Sequence, residues 1–94
     1  MVERGLYPNP FGATLSIYFR LRVAAQLDLV IFDVAGEPVW RLAVEGQAGD
    51  NLVPWQGVNG QGMRCASGTY LLDVRAQGVD GTQGGFWDRL AVAR

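Results

Sequence analysis

Four aspartates, Asp28, Asp33, Asp73 and Asp88, fall in strand-like stretches of the chain. A facing pair of carboxylates is the least equipment that general acid–base chemistry needs. Histidine is absent, which removes the usual base near neutral pH, the commonest metal ligand and any Ser–His or Cys–His nucleophile. Asp28 and Asp73 occupy outward positions, where pairing with arginines on neighbouring strands is the expected use. The reading is that the chain is not an enzyme: no residue is assigned a catalytic role, and no cofactor is implied.

The other reactive groups are sparse. Cys65 is the single cysteine, so neither an internal disulfide nor a thiolate metal cluster can form. Arg64 beside it could lower the thiol pKa, but the expected role is a small, inert loop residue, exposed enough for disulfide dimers to form in handling. Calcium would need roughly six to eight oxygen ligands, several of them carboxylates. The corner from Asp50 to Asn59 and the following VNGQGM stretch supply mainly amides and carbonyls, so turn geometry is expected there and no metal. Of the three tryptophans, Trp40 shares a face with Leu42 and Val44, and Trp55 with Val53, which reads as core packing. Trp87 is out of phase with Leu90 and Val92 and points outward beside Arg89. It is either an interface residue or is covered by the lead-in at residues 7–11.

These groups must be positioned by strands. Residues 14–21 alternate strictly, with Leu15, Ile17, Phe19 and Leu21 on one side, the period of a half-buried strand. Residues 27–34 (LDLVIFDV) are almost continuously apolar and read as a central strand covered on both faces or nearly so. Gly36 sits in a short turn, and residues 38–44 return as the partner strand. Residues 46–50 form a loop. Residues 51–55 form a short strand whose Pro54 argues for an edge or an end. A glycine-rich corner follows, then a strand at 69–76, a polar loop at 78–85 and a last strand at 86–93. The start is an extended lead-in punctuated by Pro8 and Pro10, with Tyr7 and Phe11 expected against the domain edge. Six or seven short strands with turns about every 8 to 12 residues indicate an antiparallel β-sandwich.

Composition agrees with one small domain over residues 1–94. The chain is 49% hydrophobic with a net charge of −1, which suits a packed globule. Scattered arginines give no electrostatic footprint for nucleic acid. No apolar run approaches the roughly 20 residues needed to span a bilayer. The opening MVERGLYPNPF lacks the layout of a secretory signal, and the expectation is a piece of a longer precursor.

Two motif blocks carry a family resemblance. The hairpin Ile31, Phe32, Asp33, Val34, Ala35, Gly36, Glu37, Pro38, Val39 is similar to the pattern IYDxxGxxV. Ala48 and Gly49, then Trp55, Gln56 and Gly57, then Asn59, Gly62 and finally Ser67, Gly68, Thr69 and Tyr70 resemble AGxxxxxWDGxDxxGxxxxSGxY. Together they resemble the immunoglobulin-like domain of flagellar hook-capping (FlgD-like) proteins, a domain also found at the C-termini of bacterial extracellular proteins. The resemblance implies an all-β, immunoglobulin-like (fibronectin III-like) sandwich of about seven strands, framed by Asp33, Gly36, Trp55, Gly57, Asn59, Gly62, Gly68 and Tyr70. Gln56 and Asn59 stand where the family usually has Asp, which counts against a cation role, while amides can still make turn hydrogen bonds.

The lead-in Tyr7, Pro8, Asn9, Pro10 and Phe11, with a basic residue in the closing strand (Arg89), is similar to C-terminal sorting domains of the type IX secretion system. That resemblance implies a signal at the C-terminus of a larger exported protein. Its partners would be outer-membrane export and attachment proteins, and its location the outside or surface of a Gram-negative cell. Recognition would fall to the lead-in and the last strand, especially Arg89 and Arg94, with Trp87 as an interface candidate. Two other classes stay open. One is a packing module of the hook-cap type, disfavoured because hook-cap proteins usually interrupt this domain with another. The other is a carbohydrate-binding accessory module using Trp87. Open strand edges would also permit weak self-association by added-strand pairing.

Overall fold

A strand with one apolar face can bury it only against a second layer, so alternating strands without helices must stack as two sheets. The computed structural model describes residues 3–94 and has seven strands: β1 (Glu3–Tyr7), β2 (Leu15–Leu21), β3 (Ala25–Phe32), β4 (Pro38–Gly46), β5 (Gly49–Trp55), β6 (Gly68–Gly78) and β7 (Gln83–Val92). They form a three-stranded sheet, β1-β2-β5, and a four-stranded sheet, β4-β3-β6-β7, with every pairing antiparallel. The antiparallel sandwich expected from the alternation, immunoglobulin-like as the resemblance implies, is the observed fold. The inward residues of β2 (Leu15, Ile17, Phe19, Leu21) meet Leu29 and Ile31 of β3, Leu72 and Val74 of β6 and Leu90 of β7 in one buried core.

Several local expectations are corrected. The lead-in is partly a strand: β1 pairs with β2 from Glu3 opposite Arg20 to Tyr7 opposite Ser16. Phe11 is buried, but Tyr7 is 52% exposed instead of packed against the edge. β3 is central in its sheet, yet its outer face is only partly covered: Val30 is buried, Asp28 half-buried and Gln26 exposed. The loops are tighter than expected, because β4 and β5 are joined by Gln47 and Ala48 alone and β7 already begins at Gln83. Pro54, which cannot donate to a ladder, lies on β5 at the edge of its sheet.

The centre of one end of the sandwich is Trp55, which has no exposed surface. Its ring lies 5.6 Å from Phe11, 6.0 Å from Trp40 and 6.3 Å, edge-on, from Tyr70. It therefore joins the lead-in, β4 and β6. Its indole N–H donates to the Val58 carbonyl at 2.9 Å, the partner a buried donor requires. Truncating so large a buried ring leaves a cavity as well as lost burial. Trp55→Ala is expected to lower unfolding free energy by about 3–5 kcal/mol, read as a fall in the urea midpoint. A change within about 0.5 kcal/mol would instead class Trp55 with surface positions.

Candidate recognition surface

The two framework blocks use one local device twice. Asp33 Oδ1 accepts from the amides of Ala35 and Glu37, both at 2.9 Å. Asn59 Oδ1 accepts from Gln61 and Met63, again at 2.9 Å. Each side chain thus mimics a turn of backbone two and four residues ahead. The glycine three residues on then takes a left-handed φ, 87° at Gly36 and 81° at Gly62, which favours the absence of a side chain. An amide oxygen serves as well as a carboxylate here, so Asn59 keeps the turn without its charge. Asp33 lies just past the end of β3, in this turn, and not on the strand assigned to it from the sequence.

The corner that follows Trp55 presents its carbonyl oxygens to one cation. The Arg94 guanidinium donates through Nε to Cys65 O at 3.0 Å, through Nη1 to Gly12 O at 3.2 Å, and through Nη2 to Gly57 O at 2.6 Å and Gln56 O at 3.4 Å. Its backbone N–H donates to Ser67 Oγ at 3.0 Å. A Cβ at Gly57 would run into Nη2 of Arg94, so the glycine permits the close approach as well as a φ of 70°. Arg94, singled out for recognition, has its charged end engaged by the protein's own backbone. Its geometry is that of a positioning residue.

The lead-in and the last strand, chosen separately from the sequence, come together. The Asn9 side chain donates to Arg89 O at 3.1 Å and accepts from the Ala91 amide at 3.0 Å. Phe11 then donates to Ala91 O at 3.0 Å and accepts from Ala93 at 2.8 Å, a parallel bridge centred on Val92. The chain thus leaves the three-stranded sheet after Tyr7, crosses at Pro8 and Pro10, and caps the edge of β7 in the other sheet. Both crossing prolines lack an N–H, and their peptide bonds, Tyr7-Pro8 and Asn9-Pro10, are cis. The exposed surface here comprises Tyr7, Pro8, Asn9, Pro10 and Arg89. Trp87 is 66% exposed, so the lead-in does not cover it and the outward alternative holds.

The remaining groups are dispersed. Asp28 approaches Arg41 on the neighbouring strand at 3.9 Å, whereas Asp73 pairs at 3.1 Å with Arg75 of its own strand, not with a neighbouring strand as expected. Asp88 Oδ1 accepts from the Arg89 amide at 2.9 Å. Among the described residues no three His, Cys, Asp or Glu side chains converge as a metal site would require. No helix among them is long and apolar enough to cross a membrane.

Cys65 is buried, contrary to the exposed thiol expected of a loop residue, because the corner folds it under Tyr70 and Arg94. Burial pushes its pKa up, against a smaller lowering by Arg94. Burial likewise raises Tyr70, whose hydroxyl donates to Ala66 O at 2.7 Å. Both groups hold their protons more tightly folded than unfolded. Their contribution to stability is therefore full below the ordinary thiol pKa of about 8.5 and falls as pH rises through the raised values. The urea midpoint should drop between neutral and strongly alkaline pH, and less so in Cys65→Ala. In the native protein the thiol should react with a thiol reagent far more slowly than in denaturant. Equal reactivity in both states would contradict the burial.

Residues 11–80 match the FlgD Ig-like domain family. No curated protein matches the chain. Similar solved structures include dimeric latent PorU from Porphyromonas gingivalis (TM-score 0.78, 19% identity), FlgD from Xanthomonas campestris (0.70, 18%) and PorZ, a surface component of the P. gingivalis type-IX secretion system (0.60, 22%). They align with 96%, 94% and 97% of this chain respectively. The chain spans only 9% of PorU, 63% of FlgD and 11% of PorZ, and at these identities the likeness is one of fold. With the family match running from Phe11 through Asp80, the chain belongs to the FlgD Ig-like domain family.

Proposed function

We propose that this domain is a non-catalytic sorting and surface-attachment module, the C-terminal part of a larger exported protein, recognised by type IX export machinery at the outer membrane. The observation that carries this reading is the lacing of the YPNPF lead-in to the last strand through Asn9 and Phe11. Two stretches about 80 positions apart in sequence become one exposed surface, as a signal read by another protein needs. Residues 7–10 and β7 also lie outside the segment that matches the family, which suits a role beyond the common framework. The structural likeness to PorU and PorZ is consistent with such a setting. In this reading Arg89 faces the partner, and Arg94 holds the surface in shape. Export and attachment proteins are the proposed partners, and the extracellular face or surface of the cell is the proposed location.

The test is a reporter. Residues 1–94 are fused behind a periplasm-targeted fluorescent protein, in a host with a working type IX system and in its export-deficient mutant. Fluorescence at the surface or in the medium of the competent host alone is the expected result. Arg89→Ala should cut that export severely while leaving the urea midpoint within about 0.5 kcal/mol of the parent, as for a surface change. Reporter held in the periplasm of both hosts with the domain folded would overturn the sorting role and favour a packing module of the hook-cap type.

A further inference from the structure

The outer face of the four-stranded sheet carries a trough that the sorting role leaves unused. Pairing registers set its geometry. Ala43, Asp28, Arg75 and Gly85 lie side by side across β4, β3, β6 and β7. That row has a small residue at each end and a charged pair in the middle. The next row on one side ends in Trp87, opposite Asp73. The row on the other side holds Glu45, Gln26, Gln77 and Gln83. Between the Trp87 end and the glutamine row the face opens into a groove of about 710 Å³, within the roughly 300–1,000 Å³ of small-ligand sites. Gly85 keeps the end beside Trp87 low, since a Cβ there would lie 2.5 Å from the Val74 carbonyl oxygen.

The lining specifies a kind of ligand. Trp87 offers a flat ring, 66% exposed, with no side chain beside it at Gly85. An apolar face with a polar rim can settle on such a ring. Asp73 Oδ2 takes the Nε–H of Arg75 at 3.1 Å, a contact that leaves the other carboxylate oxygen and the terminal guanidinium nitrogens of these two lining residues free of each other. Asp28, Gln26 and Gln77 add planar acceptors and donors along the floor and wall. The two acids are offset by Arg75 in the groove and Arg41 near it. Glu45 lies beside Gln26 at the rim, so the groove and its rim carry a small negative balance that disfavours phosphates, while each acid of the lining already has an arginine beside it and offers no bare carboxylate to a cation. A purely apolar partner would strip water from these charges without replacing its hydrogen bonds. What remains is a neutral molecule with one apolar face and many hydroxyls. We propose that this trough binds a neutral oligosaccharide, with Trp87 as the stacking platform and Asp28, Asp73 and Arg75 as partners of its hydroxyls.

The 94-residue chain would be titrated with neutral β-linked gluco-, manno- and N-acetylglucosamine oligosaccharides. A sialylated oligosaccharide, a phosphorylated one and a proline-rich peptide serve as competing classes. Because Trp55 is buried and the half-buried Trp40 packs against it, away from the groove, the Trp87 indole and the Gly85 amide are specific NMR reporters. Expected are saturable shifts at both with at least one neutral oligosaccharide. Trp87→Ala should lose affinity about tenfold or more, as for an aromatic anchor, with an unchanged thermal midpoint, and Trp87→Tyr should keep most of it. Three results would overturn the proposal: no saturable shift at about 10 mM, where millimolar Kd values would register; binding that survives Trp87→Ala; or binding confined to the charged oligosaccharides or the peptide.

Discussion

A tryptophan buried at the end of a two-sheet sandwich imposes a debt on its surroundings: its indole N–H must find an acceptor where water cannot supply one. Trp55 finds it three residues ahead, at Val58 O, and that bond draws the chain into a tight corner directly after β5. The corner's backbone oxygens at Gln56, Gly57 and Cys65 then face inward together. Of these, Gly57 O also accepts the Cys65 N–H at 2.8 Å. The Arg94 guanidinium answers them and adds Gly12 from the lead-in. A cation shared among neutral carbonyls needs no buried counter-ion, and its planar fork of donors suits several acceptors at once.

From this arrangement the proposed recognition surface follows by geometry. The guanidinium fixes the end of β7 and the residue after Phe11 at the same point. Phe11 packs on the Trp55 ring and makes two backbone bonds to the strand, while Asn9 adds two from its side chain. The capped half of the β7 edge is thereby closed to other chains. Alternation along the strand leaves the outward backbone groups of Gly85 and Trp87 beyond the lead-in's reach. The domain thus keeps its stability at one end, around Trp55, and its exposed Trp87 and Arg89 on a strand held by that end.

Much of the framework was legible because it is local. The alternation of Leu15, Ile17, Phe19 and Leu21, the apolar run of β3 and the spacing of Asp33 to Gly36 and of Asn59 to Gly62 each act within a few residues, so residue type alone reports them. The candidate surface was legible only in parts. Asn9 reaches Ala91 across a separation of 82 residues, and nothing in either stretch announces the other. β1 was missed because ERGLY has neither alternation nor β-branched residues, and pairing to β2 alone defines it. The burial of Cys65 and the backbone contacts of Arg94 are not legible in the sequence for one reason: both are set by a corner whose shape depends on a tryptophan ten or more residues away. A resemblance to known motifs located the framework residues without saying which carbonyl each would face.

The central claim is that the corner built on Trp55 holds the lead-in against the last strand through the Arg94 guanidinium. Amide hydrogen exchange in Arg94→Met, which keeps most of the aliphatic stem and removes the charge, tests it most directly. The account predicts that the Phe11, Ala93 and Cys65 amides exchange roughly tenfold or more faster, as one unit, while those of Leu29 and Leu72 in the sheet interior hold their rates. Unchanged exchange at Phe11 and Ala93 would show that the lead-in stands without the clamp and would contradict the account.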